Sequence, residues 1–145
     1  MSKKIRKLAA IVYTDTVGFS GLSASNENLA IELVNKQREI IHPLLKTYGG
    51  ELNNETGDGF LLTFPSATSA VEFSIDFQRA VKQIDGLSVR IGIHEGEITA
   101  QNNDVFGDDV NISARIEPYS PVGGIAISEK VKLEISSLPE YQTEF

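Results

Sequence analysis

Two aspartates in this 145-residue chain stand where a carboxylate could meet a metal ion. Asp15 ends an apolar run that begins at Leu8, and a small-residue turn with Gly18 and Ser20 follows it. Asp58 lies in Gly57-Asp58-Gly59, between two strand-like runs of the segment Glu51–Phe64. A hard cation such as Mg²⁺ takes oxygen ligands and keeps positions open for water and substrate phosphate. Two carboxylates at one point can hold two cations, which clamp the attacking and leaving oxygens of an in-line phosphoryl displacement. The amides around Val17, Gly18, Phe19 and Ser20 could cradle phosphates without a P-loop sequence. Each aspartate also has a purely structural reading: Asp15 as turn former or cap, Asp58 as part of a common Asp-Gly hairpin turn.

The composition suits that chemistry. Twenty acidic against thirteen basic residues leave a formal charge of −7, which argues against a nucleic-acid backbone as partner. The same balance favours recruitment of a divalent cation before a polyphosphate. Cysteine is absent, excluding disulfides, thiolate zinc sites and a thiol nucleophile. The basic start, Lys3, Lys4, Arg6 and Lys7, precedes an apolar run too short for a signal peptide or a membrane span. A cytoplasmic domain without membrane contact is expected.

The elements that must position these residues follow from hydrophobic period and turn chemistry. A first strand ends at Asp15. Ser25 or Asn26 caps a helix to about Tyr48, with Leu29, Leu33, Ile41, Leu44 and Tyr48 mostly on one stripe and a kink or split expected at His42-Pro43. The hairpin over Glu51–Phe64 comes next, then a helix capped by Ser66 with Ala70, Phe73, Phe77, Val81 and Ile84 at helical spacing. Leu87–Ala100 alternates: Val89, Ile91 and Ile93 on one face, Ser88, Arg90, Gly92 and His94 on a wet or functional one. After a polar loop over Gln101–Asp104, a short helix closes at Pro118, a strand covers Ile125–Ile127, and Ser128 caps a last helix. The order β-α-β-β-α-β, then helix-strand-helix, is an α+β sandwich with a ferredoxin-like core and an appendix.

The stretch Asp104-Val-Phe-Gly107, Val110-Asn111, Ala114-Arg115 resembles the signature of class III nucleotidyl cyclases, the adenylate/guanylate cyclase homology domain. The other parts fall in the family's order: T-D-T-V-G-F-S at the first strand, G-D-G-F in the hairpin, R-I-G-I-H-E-G on the alternating strand, then P-V-G-G-I-A-I-S. The resemblance covers roughly residues 8–138. It implies that two ions, Mg²⁺ or Mn²⁺, bind Asp15 and Asp58 with help from the Thr16 carbonyl. It further implies that a nucleoside triphosphate is cyclised with loss of pyrophosphate. Domains of the family pair head to tail, so each site of a homodimer would borrow Asn111 to position the ribose and Arg115 to stabilise the transition state. Those two residues are four apart on one expected helix and share a face. Gly57 would lie beside the substrate.

Two departures from the family pattern bear on function. Adenylyl cyclases carry lysine, and guanylyl cyclases glutamate, three residues before the Gly-Asp; this chain has Asn54. Glu55, next to it, points to the opposite strand face unless a bulge intervenes. Asp104 matches the second base-selecting position and can accept from the adenine amino group, so ATP is expected ahead of GTP. The family also continues past this point with a hairpin that carries a phosphate-binding lysine, whereas the chain stops at Phe145. The expectation is one domain taken from a longer protein with further regulatory domains, and Tyr141–Phe145 opening a strand. The competing function is a cyclase-like module that binds nucleotide or dimerises without turnover. His94 is read as a surface histidine and His42 without a role.

Overall fold

The apolar run ending in Asp15 becomes the central strand of the computed structural model, which describes residues 3–138 and 140–143. β1 (Ile5–Thr16) pairs antiparallel with both neighbours, so one face must alternate with the other along its length. Ala10 and Val12 join the larger core, where α2 (Glu27–Tyr48) and α3 (Ala67–Val81) cover the sheet. Ala9 and Ile11 form a second small core on the opposite face with Leu61, Ile98 and Val105, flanked by Tyr13. Asp15 continues this second row, and Thr14 and Thr16 the first.

The sheet runs β2-β3-β1-β4-β5, from β2 (Glu51–Glu55) and β3 (Phe60–Phe64) to β4 (Val89–Gln101) and β5 (Asp104–Phe106), with β6 (Ile125–Ile127) parallel to β4. The first four strands keep the ferredoxin-like order expected from the sequence. Gly57 (φ 61°) makes the β2–β3 turn, and Gly59 lets it close on β1. A Cβ at Gly59 would collide with the Thr14 carbonyl. α4 (Asp108–Ile116) lies along β4 on the second face, continued by a 3-10 turn over Glu117–Tyr119. Gly92 permits this: a Cβ there would come within 2.5 Å of the Glu117 nitrogen. α5 (Glu129–Ile135) closes the described fold, with Ser128 accepting from the Val131 amide.

Several local expectations need correction. Helix α2 does not split at Pro43 but continues to Tyr48, capped by Asn26 and stopped by Gly49 in the left-handed region. The missing N–H would have served the carbonyl of Glu39; His42, Pro43 and Glu39 are all exposed, where water can replace it. The buried stripe of α2 is Ala30, Leu33, Val34, Gln37, Ile41 and Leu45, so Leu29 is a rim residue. The small-residue turn after Asp15 leads into a seven-residue helix, α1 (Phe19–Ser25), starting from Gly18 at φ 72°. The helix before Gly86 ends at Val81. The polar loop is a two-residue turn, Asn102 and Asn103 both at positive φ, that adds β5. Residues 141–143 belong to no strand, and the rest of the Tyr141–Phe145 strand lies outside the described residues.

Candidate active site

Asp15 and Asp58 are brought together by backbone before any side chain acts. The Thr16 amide donates to the Asp58 carbonyl (2.8 Å), and the Phe60 amide to Thr14 Oγ1 (3.0 Å). These bonds lash the hairpin turn to the end of β1. Burial, hydrogen bonding with Asp58 and the negative charges of Asp58 and Glu117 push the Asp15 carboxyl from 3.8 up to about 7, against the opposing pull of Arg90. Arg90 sits directly opposite Asp15 in the β1–β4 register.

Glu117 is a member of this site that the sequence did not single out. It is 6% exposed, burial raises its carboxyl, Arg90 lowers it and Asp58 raises it further. Its signal was weak because it follows the short helix at a position normally read as a solvated terminus. Arg90 was legible as a polar-face residue of its strand, though without a partner.

Thr16 is tied from three directions. Its amide reaches Asp58, the next amide, Val17, reaches Ser88 O (2.9 Å), and its hydroxyl accepts from Gln37 Nε2 (2.9 Å). A residue's N–H and C=O point the same way from a strand, so the Thr16 carbonyl is directed toward the Asp58 side. The Val17 amide is already used, which removes it from the set free to meet phosphate. Phe19 packs on the larger core, while Gly18 and Ser20 are exposed.

Asn111 and Arg115 occupy the outer side of α4, both exposed, while Ser113 between them is buried against β4. Among the described residues, neither bonds to Asp15 or Asp58. The first turn of α4 is pinned from beneath. His94 bonds Ser128 Oγ through Nδ1 (2.8 Å) and Asp109 Oδ1 through Nε2 (2.9 Å), and the Glu97 amide donates to Asp109 Oδ2 (3.0 Å). The histidine read as a surface residue is therefore a half-buried link between β4, α4 and α5.

Near β5, Asp104 Oδ1 accepts from the Val105 amide (2.8 Å). The β2–β3 register shifts between Leu52 and Asn54, a bulge at Asn53. Asn53 accepts from Thr63 Oγ1 (2.8 Å) and donates to Asn103 O (3.3 Å), drawing β2 toward the β4–β5 turn across the second face. Asn54 pairs with Leu61, a residue of that face. Glu55 turns to the helix side, where it pairs with Arg38 (2.6 Å), so the bulge does not deliver it in place of Asn54.

Residues 1–145 match the family described as the adenylate and guanylate cyclase catalytic domain. The chain belongs to that family. A Rhizobium meliloti (strain 1021) protein named "Putative adenylate cyclase 3" is 36% identical over 134 residues, 87% of this chain and 23% of its own length. An adenylate/guanylate cyclase/hydrolase from Silicibacter pomeroyi superposes with TM-score 0.87 at 32% identity, covering 99% of this chain and 88% of that one. The catalytic core of a rhodopsin-guanylyl cyclase with converted specificity, solved with ATPαS, superposes with TM-score 0.83 at 25% identity over 93% and 84% of the two chains. The chain spans 23%, 16% and 8% of the length of the first three curated relatives it matches. Adenylate and guanylate cyclases are both among these likenesses. No helix among the described residues is long and apolar enough to cross a membrane.

Proposed function

We propose that this chain is the adenylate cyclase domain of a longer protein. The 3′-hydroxyl of ATP attacks its own α-phosphorus, the bond to the β-phosphate oxygen breaks, and 3′,5′-cyclic AMP and pyrophosphate form. The observation that carries the reading is the convergence of Asp15 and Asp58, fixed by the Thr16 amide on the Asp58 carbonyl (2.8 Å); burial and Asp58 push the Asp15 carboxyl up to about 7. Two carboxylates this close repel when both are ionised, and a divalent cation relieves the repulsion. The donor set fits Mg²⁺ or Mn²⁺, because two carboxylates and a carbonyl at Thr16 are hard oxygen donors. Two bound ions would supply positive charge to the attacking and leaving oxygens.

The chain's own residues do the rest. Arg90, on the carboxylate face, offsets their charge and offers a fork to phosphate oxygens. Gly18, Phe19 and Ser20 border the phosphates, and Gly57 gives close backbone approach. Asn54 and Asp104, drawn toward one side by the Asn53 bulge, face the base. Asn111 and Arg115 look away from the aspartates of their own chain, which supports their serving the partner's site in a head-to-tail homodimer. Arg115 would act chiefly on charge developing in the transition state.

The test offers ATP and GTP side by side to protein extended beyond Phe145, with Mn²⁺. Cyclic AMP formation abolished by Asp58→Ala is expected. Nucleotide binding without either cyclic product, in a folded dimer, would replace this reading with that of a regulatory cyclase-like module.

A further inference from the structure

Gln37 presents a problem of energetics. It is 0% exposed within the apolar stripe of α2, and its Oε1 has no hydrogen-bond partner. Leaving a buried amide oxygen unpaired is costly, whereas an apolar side chain of similar size would fill the same space without that cost. The other buried glutamine with an unpartnered oxygen, Gln78, has an evident structural use. Its Nε2 donates to Val89 O (2.9 Å) and Gly124 O (2.8 Å), tying α3 to β4 and to the loop before β6. Gln37 makes one bond, and it goes to Thr16 Oγ1.

We propose that Gln37 is a positioning residue that orients the end of β1 for cation binding by holding the Thr16 side chain in the helix layer. The proposal rests on the reading that Asp15, Thr16 and Asp58 hold the ions. Successive strand side chains point to opposite faces. Drawing the hydroxyl of Thr16 inward therefore sets the direction of Asp15 outward, toward Arg90 and Glu117. With its amide on Asp58, Thr16 cannot roll about the strand axis while Gln37 holds it. Buried partners that orient a ligating residue commonly change metal affinity when removed.

The test uses metal-free protein and four variants: Gln37→Met, Thr16→Val, the double substitution, and Asp58→Ala. Mn²⁺ affinity is read by calorimetric titration, and stability by thermal melting without metal. Gln37→Met should melt at or above the wild-type temperature yet bind Mn²⁺ about tenfold more weakly. Thr16→Val keeps its carbonyl but loses the hydroxyl, and should weaken binding equally. The double variant should be no worse than either single, because both remove one interaction. Wild-type Mn²⁺ affinity in Gln37→Met, additive losses in the double variant, or a loss in Gln37→Met matched by a lower melting temperature of that variant would overturn the proposal. If Asp58→Ala binds Mn²⁺ as the wild type does, the metal reading itself fails and takes this proposal with it.

Discussion

Asp15 is the most environment-dependent group in the site. Burial and Asp58 push its carboxyl from 3.8, the ordinary value that an unfolded chain would keep, up to about 7. Between those values the folded state holds the extra proton, so stability falls as pH rises and levels off above about 7. Metal-free protein should therefore lose melting temperature from pH 5 to 7.5, and Asp15→Asn should flatten that slope in scanning calorimetry. A cation must displace the same proton, so Mn²⁺ affinity should climb with pH up to about 7 and then plateau. Arg115 carries a different expectation. On its proposed role at the transition state, Arg115→Ala should cut kcat by roughly a hundredfold with little change in KM, in steady-state kinetics.

The hairpin β2–β3 delivers Asp58 only because its turn can touch β1. At Gly59 any side chain meets the Thr14 carbonyl. Gly59→Ala should destabilise the fold by about 1–3 kcal/mol, as overpacking does, and should weaken Mn²⁺ binding as Asp58 moves away. Denaturant unfolding and metal titration on the same variant check both halves. The bulge at Asn53 works at the other end of β2. It keeps Asn54 on the second face and leaves Glu55 to Arg38, so the acidic neighbour stays clear of the base side. On α4 the network of His94 and Asp109 fixes the first turn, and Asn111 follows it by two residues.

On the proposed reading, one molecule holds the parts of a site without assembling them. The aspartates lie at the end of β1, and Asn111 and Arg115 point outward from α4. If two copies pair by a two-fold axis, each site draws one half from either chain. Mixing Asp15→Ala chains with Asn111→Ala chains should then regain roughly a quarter of wild-type activity after subunit exchange, since half the dimers are mixed and each has one intact site. A mixture as inactive as its parents, with exchange verified, would rule out the shared site.

The candidate site residues stand out in the sequence because each lies at a strand end, in a glycine-framed turn or at helical spacing within the signature Asp104–Arg115. Local signals of that kind also carried the strand order of the core, the caps at Asn26, Ser66 and Ser128, and the hairpin. What escaped was long-range. Glu117 joins Asp15 only because Gly92 lets α4 approach β4, the Gln37 side chain bonds a hydroxyl 21 positions away, and His94 is half-buried between Asp109 of α4 and Ser128, the cap of α5. The sequence by itself determined which groups exist and on which element each rides, since period and turn chemistry are local. Only the tertiary structure decided which carboxyl groups converge, which amides are already used and which face of α4 stays free. Those outcomes depend on distances and burial that arise when separate elements close on one another.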